Sequence, residues 1–191
     1  VDEKIYDSEG YIMGWFYNSI QPSRTMKGTN EMVIVQDPGN CSRYYIIGSA
    51  LSNFNGVANH YPHYAILDLN QPSDFFDNRN GALVLNSDEE PLYDITDLAD
   101  VPPFDEGWAD SKSGGVYYAV SPLKEDNTYK LFISSPQYVF RFTIDDEGLH
   151  YDEYTIVIDY PVMEAQQRMR AQMELKQTTS GDYFLAVPYV V

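Results

Sequence analysis

Two histidines three residues apart, His60 and His63 in the stretch HYPH, have a spacing that could grip a metal ion. A zinc site needs three or four ligands, and neither Cys nor an acid adjoins this pair. Pro62 between them signals a turn, so both read as ordinary surface or core histidines. Carboxylates come in clusters: Asp88-Glu89-Glu90, Asp97 with Asp100, Asp105-Glu106 and Asp145-Asp146-Glu147. A glycoside hydrolase uses two carboxyl groups about 5 or about 6.5–9.5 Å apart, one with a raised pKa. No pair stands out among these clusters, and acids grouped in loops are usually solvated. Calcium suits oxygen-rich loops, and DLNQPSDFFDNRNG offers Asp68, Asp74, Asp77, Asn78 and Asn80. Their spacing is not that of an EF-hand, and Asn and Asp are also turn formers, which is the stronger reading. No cofactor is expected, with calcium the one ion in view. No nucleophile elbow, P-loop or dinucleotide fingerprint occurs. Asn40-Cys41-Ser42 fits a glycosylation sequon but overlaps a turn. The chain reads as a non-enzyme.

The aromatic residues remain. Tyr and Trp are enriched at recognition surfaces because they bury large rigid areas and keep a polar tip. Trp15, Phe16, Tyr17, Phe75, Phe76 and Trp108 lie in or near loops and are the binding candidates. Tyr44, Tyr117 and Tyr183 fall in strands and read as packing between sheets.

The totals favour sheet. The 191 residues include 17 Tyr, nine Phe and two Trp, and aromatics suit pleated, half-buried surfaces. Net charge is −17, from 29 acids against 12 bases. That disfavours nucleic acid and anionic membranes, whose phosphates need Lys and Arg. No apolar run approaches the ~20 residues of a spanning helix, so no membrane insertion is expected. Cys41 stands alone, which rules out an internal disulfide. The chain opens on Val1 with no visible signal peptide, as a processed or truncated product would.

Along the chain, KIYDSEGYIMGWFYNSI reads as two short strands around a Ser-Glu-Gly turn, followed by a polar gap from Gln21 to Asn30. EMVIVQDPGNCSRYYIIGSAL is a hairpin. Pro38 presets φ at its second turn position and Gly39 takes φ > 0 at the third, a type II signature. A loop rich in Asn and Gly precedes the strands HYAILDL and GALVLN. The acidic segment from Ser87 to Lys112 reads as a long surface connection with one short helical turn at most. GGVYYAVSP then repeats the pattern of SRYYIIGSA, and three strands follow, the last two joined through Asp-Asp-Glu-Gly with Gly148 at φ > 0. VMEAQQRMRAQM fits a short helix or a loop entering a strand. MELKQTTSGDYFLAVPYVV returns to the opening hairpin.

The aromatic hairpin therefore recurs near Tyr44, Tyr117 and Tyr183, with roughly four strands per unit. Four-stranded sheets repeating along a chain predict a β-propeller, and a β-sandwich is the alternative. The expectation is a single all-β region over residues 1–191, with antiparallel four-stranded, blade-like units near 31–86 and 116–160. An incomplete unit at 172–191 makes the propeller unfinished, or the chain a fragment.

These phrases carry a family resemblance. IYDSEGYIM resembles the D-x-x-G-x-x-M phrase before the first blade of large Bacteroidota surface proteins that have an N-terminal propeller-like region and a C-terminal type IX secretion (gliding-motility-associated) sorting domain. The Pro-Gly turn before a YYIF strand is similar to Asp37–Ile47, and their YSVVDM strand to Tyr64–Leu69. Their last hairpin is similar to Met173–Val187, with Thr-Thr-Ser-Gly in place of Ser-Pro-Asp-Gly. A YWVVTH strand of that group departs from Val116–Ser121, and no sorting domain is present. The resemblance implies a piece of a longer protein, secreted or held on the exterior of the bacterial outer membrane. Its role would be a non-catalytic binding or structural module for a protein or glycan at the cell surface. A glycan-acting enzyme domain and a self-assembling subunit are the alternatives. The apolar strand from Tyr183 to Val191 is expected to pair at its edge with another chain or a downstream domain.

Overall fold

Within one stretch of the chain, side chains point alternately into two different cores. Tyr45 and Ile47 join one, and Tyr44 and Ile46 the other. This period of two is what a strand buried on both faces produces. The computed structural model describes residues 4–16, 25–26, 32–54, 57–102, 116–134, 138–156, 173–179 and 182–186. Among these the chain is all-β and every strand pairing is antiparallel.

Strands β1 (Lys4–Tyr6) and β2 (Ile12–Trp15) form a hairpin. After β3 (Thr25–Met26), strands β4 (Val33–Asp37), β5 (Asn40–Phe54), β6 (Val57–Pro72) and β7 (Asn80–Val84) run as a meander. β3 pairs with the far part of β5, and β8 (Tyr93–Asp94) with β6 at His63 and Tyr64. A 3-10 turn, Ile95–Asp97, follows, with Asp94 accepting from the Thr96 amide. A second meander comprises β9 (Tyr117–Val120), β10 (Tyr129–Ser134), β11 (Tyr138–Asp145) and β12 (Gly148–Ile156). A last hairpin, β13 (Glu174–Gln177) with β14 (Tyr183–Ala186), completes the described chain. This architecture is consistent with an incomplete propeller or a β-sandwich.

The two meanders pack face to face. Val35, Tyr45, Ile47 and Tyr64 of the first meet Tyr118, Leu131, Ile133, Phe140, Phe142 and Ile144 of the second. In β11 these inward residues alternate with the half-buried Arg141, Thr143 and Asp145. One buried hydrogen bond crosses the layers, between Ser49 Oγ and Tyr118 Oη at 2.8 Å. The first meander's opposite face buries Ile46, Ala65, Leu67 and Leu83 under Ile5, Met13 and Phe16. β2 lies close against β7, where a Cβ on Gly14 would stand 2.8 Å from Leu83 Cγ.

Several local expectations change. Gly39 does not take positive φ; Gly10, Gly81 and Gly148 do. The type II reading is therefore wrong. Asp37 Oδ1 accepts from the Gly39 amide at 2.8 Å, and a Cβ on Gly39 would lie 2.9 Å from Asp146 Cα. Glycine is needed there for close approach between two turns. Gly148, at φ 130°, behaves as expected. Pro62 marks no turn but lies buried within β6, opposite Ser49. The Asn- and Gly-rich loop shrinks because β5 extends to Phe54 and β6 resumes at Val57. The polar gap holds the short strand β3. In both places, pairing with a neighbouring strand overrides composition. The acidic connection is anchored where it was read as surface: Leu92 and Ile95 are fully buried, and its 3-10 turn is the short helical turn allowed for. Asp105, Glu106, the helix-or-loop stretch before Met173 and the end of the last strand beyond Ala186 lie outside the described residues.

Candidate binding site

The β1–β2 turn and the β6–β7 loop meet, and there the fold concentrates exposed aromatic and charged groups. In the turn, Asp7 Oδ1 accepts from the amides of Glu9 at 2.9 Å and Tyr11 at 2.8 Å. This Asx-type closure fixes the hairpin and leaves Asp7 Oδ2 pointing out. In the loop, the Ser73 amide donates to Arg79 O at 2.8 Å, and the Phe75 amide to Ser73 Oγ at 3.2 Å. Asn78 takes φ 65°, a conformation that Asn tolerates better than most residues. The closed loop projects Arg79 onto the turn.

Arg79 then organises the cluster. Its Nη1 donates to Asp7 Oδ2 and its Nη2 to Glu9 Oε2, each at 2.9 Å. Its Cζ lies 3.5 Å from the Tyr11 ring centroid. Tyr11 also meets Phe76 edge-on, with centroids 5.3 Å apart at 80°. Cation–π and edge-to-face contacts both align charge with the ring quadrupole. Hydrogen bonding, first from the Tyr11 amide, holds the Asp7 carboxyl below the usual range, with Arg79 adding to it. The bond to Glu9 raises Arg79 further. Both groups are thus charged throughout the neutral range. Tyr11, Phe75 and Phe76 remain about two-fifths exposed, at 40%, 42% and 38%. The result is a rigid aromatic surface whose charges are already mutually satisfied.

The predicted aromatic set divides. Phe75 and Phe76 belong to this cluster. Trp15 is exposed but lies at the other end of the hairpin, with Lys4 Nζ 5.3 Å from its ring. Phe16 is a core residue at 4% exposure, covering Ile46 and Leu83, because the chain turns its side chain under the first meander. Tyr17 and Trp108 lie outside the described residues. Sequence reasoning missed Asp7, Glu9, Tyr11 and Arg79. The one signal was a lone Arg in an acidic, turn-rich loop.

The other candidates do not assemble. His63 is buried, with Nε2 3.8 Å from Asp94 Oδ2, and His60 sits on β6 opposite Leu51. No group of three or more His, Cys, Asp and Glu with metal-binding geometry occurs among the described residues. Asp68 does not join Asp74 and Asp77. It is buried, and accepts from the Asn70 amide and Arg43 Nε at 2.9 Å each, which keep its carboxyl low. Asp145 serves its own turn, accepting from Glu147 N, Gly148 N and His150 Nε2. Asn86 Oδ1 receives the amides of Asp88 and Glu90. On β12, Asp152 gathers Lys130, Arg141 and Thr143. A separate groove of about 320 Å³ runs along β9 and β13, lined by Val33, Tyr118, Ala119, Val120, Met173 and Leu175 with one carboxylate, Glu174.

No protein-family profile, curated protein or solved structure matches this chain. No helix among the described residues is long and apolar enough to cross a membrane.

Proposed function

We propose that this chain is a non-catalytic binding and structural module of a secreted or cell-surface bacterial protein, of the type IX-secreted kind its sequence phrases resemble. The observation that carries the reading is the Tyr11–Phe76–Arg79 cluster. Aromatic anchors already held in one geometry lose little conformational freedom on binding, so more of their burial appears as affinity. A sugar ring stacks on a free aromatic face, and Arg79 already occupies a face of Tyr11. The cluster therefore suits a protein surface better than a glycan. The carboxylates with a resolved shift, Asp7, Asp68, Asp126 and Asp152, are all lowered. A glycosidase acid needs the opposite direction, which weighs against the enzyme reading.

The test pairs binding with turnover. The chain is presented to cell-surface proteins and polysaccharides of a Bacteroidota host, beside a Phe75→Ser/Phe76→Ser variant. We expect saturable binding to a protein, lost in the variant while its circular dichroism and melting are unchanged. Release of sugar product would overturn the reading in favour of an enzyme. Binding that survives the double substitution would remove the cluster from it.

A further inference from the structure

The cover on the first meander stops short. Ile46 on β5 is 3% exposed beneath Ile5, Met13 and Phe16. Ile34 on β4 pairs with Ile46 in register and so shares that face, yet it is 65% exposed. Met32, two residues earlier and of the same parity, is 46% exposed. The β1–β2 hairpin thus covers β5 to β7 and leaves the β4 strip bare. Isolated exposed apolar residues are normal. Two in line beside a buried core are a continuation of that core without its lid.

The other end of the stack is covered the opposite way. There the β13–β14 hairpin lies beside β9, the first strand of its meander as β4 is of the first. Met173 is buried, and Leu175 lines the groove against Tyr118–Val120. Leu175 pairs with Leu185, so these two share one side of the hairpin. Lys176 pairs with Phe184 on the other side, and Phe184 is 64% exposed. One hairpin covers the later strands of a meander and the other sits at the first strand. Side by side they would make one four-stranded layer.

We propose that the bare strip on β4 takes the β13–β14 hairpin of a second copy of this chain, with Phe184 of one copy against Ile34 and Met32 of the other. The contact is heterologous, since different surfaces meet, and two copies can satisfy each other reciprocally and close. It commits the structural half of the proposed function to self-association and does not use the Tyr11–Phe76–Arg79 cluster. The −17 charge on each copy opposes the encounter. Screening shortens its reach from about 10 Å at 0.1 M salt to about 3 Å at 1 M, so association strengthens with salt.

The test is sedimentation of the purified 191-residue chain over a range of concentrations at low and high salt. We expect a monomer–dimer equilibrium tightened by salt. Ile34→Lys and Phe184→Lys each weaken it by about tenfold or more, although each substitution lowers the net repulsion. Both sites are exposed, so the monomers keep their fold, checked by circular dichroism. Mixing the two variants restores one intact contact, and a heterodimer returns at concentrations where neither variant alone dimerises. A monomer under all conditions, a dimer indifferent to both substitutions, or a mixture no more associated than its parts would each overturn the proposal. Loss of partner binding in the Phe75/Phe76 variant leaves this result untouched, so the two readings fail separately.

Discussion

Gly39→Ala separates two accounts of the Pro38-Gly39 turn. Gly39 lies outside the left-handed region, so alanine meets no backbone penalty. If the space beside it were open, alanine would stabilise by about 0.4–1 kcal/mol by restricting the unfolded chain. The space is not open. The new Cβ would meet Asp146 Cα and Cβ at 2.9 Å and Asp146 O at 3.0 Å. Two of those atoms are backbone, in a turn held by Asp145 Oδ1 accepting from Glu147 N at 2.9 Å and Gly148 N at 3.2 Å. The Gly39 side is clamped as well, because Asn127 Nδ2 donates to Pro38 O at 3.1 Å. Overpacking against matter that cannot move costs about 1–3 kcal/mol.

After the unfolded-state gain, the net loss is about 1–2 kcal/mol. In a chain of this size each kcal/mol moves Tm by about 2–4 °C, so a fall of about 2–8 °C is expected by calorimetry. A second variant locates the clash. Asp146→Gly removes the Cβ but leaves Cα and O in place, so Gly39→Ala/Asp146→Gly recovers only a minor part of the loss. A melting point equal to or above that of the native chain would refute the close approach. Complete rescue by Asp146→Gly would show that the side chain, not the backbone, fills the space.

Other outcomes follow from the same contacts. Tyr118→Phe removes the buried bond to Ser49 Oγ and should lower stability by about 1–3 kcal/mol in urea titration, the penalty of one unsatisfied buried hydroxyl. Phe142→Ala, at 0% exposure in the shared core, should cost about 3–5 kcal/mol. Burial alone would raise Asp152, but Thr143, Lys130 and Arg141 outweigh it and hold the carboxyl low. A carboxyl whose folded pKa lies below its unfolded value of about 3.9 contributes stability above that value and loses it as pH falls through the folded pKa. Asp152→Asn should therefore lower the urea midpoint at pH 7 and flatten its fall below about pH 5.

The sequence carries the hairpins better than it carries the faces. Alternation in Tyr138–Asp145 marks Phe140, Phe142 and Ile144 as the inward side, and the structure buries all three. An aromatic pair in a strand gives no such parity, since its two members point to opposite faces. In both Tyr44-Tyr45 and Tyr117-Tyr118 the second member is the fully buried one, while the first is half-buried. Burial pushes the Tyr45 phenol up to about 12, and the Tyr118 phenol higher still. Phe16 shows the same limit. One residue separates it in type and position from the exposed Trp15, and the turn of the chain decides which is core.

The binding cluster was hidden for a different reason. Asp7 and Arg79 stand 72 residues apart, and neither is unusual in its own neighbourhood. What brings them together is the order of layers: β2 must lie against β7 before the β1–β2 turn can reach the β6–β7 loop. That contact depends in turn on Gly14 admitting Leu83, which nothing near Gly14 in the sequence announces. The Gly39–Asp146 approach has the same character, joining two turns whose local chemistry is complete without it. A turn read alone yields the residue types that close it. Which turns touch, and so which side chains form a surface, follows only from how the sheets stack.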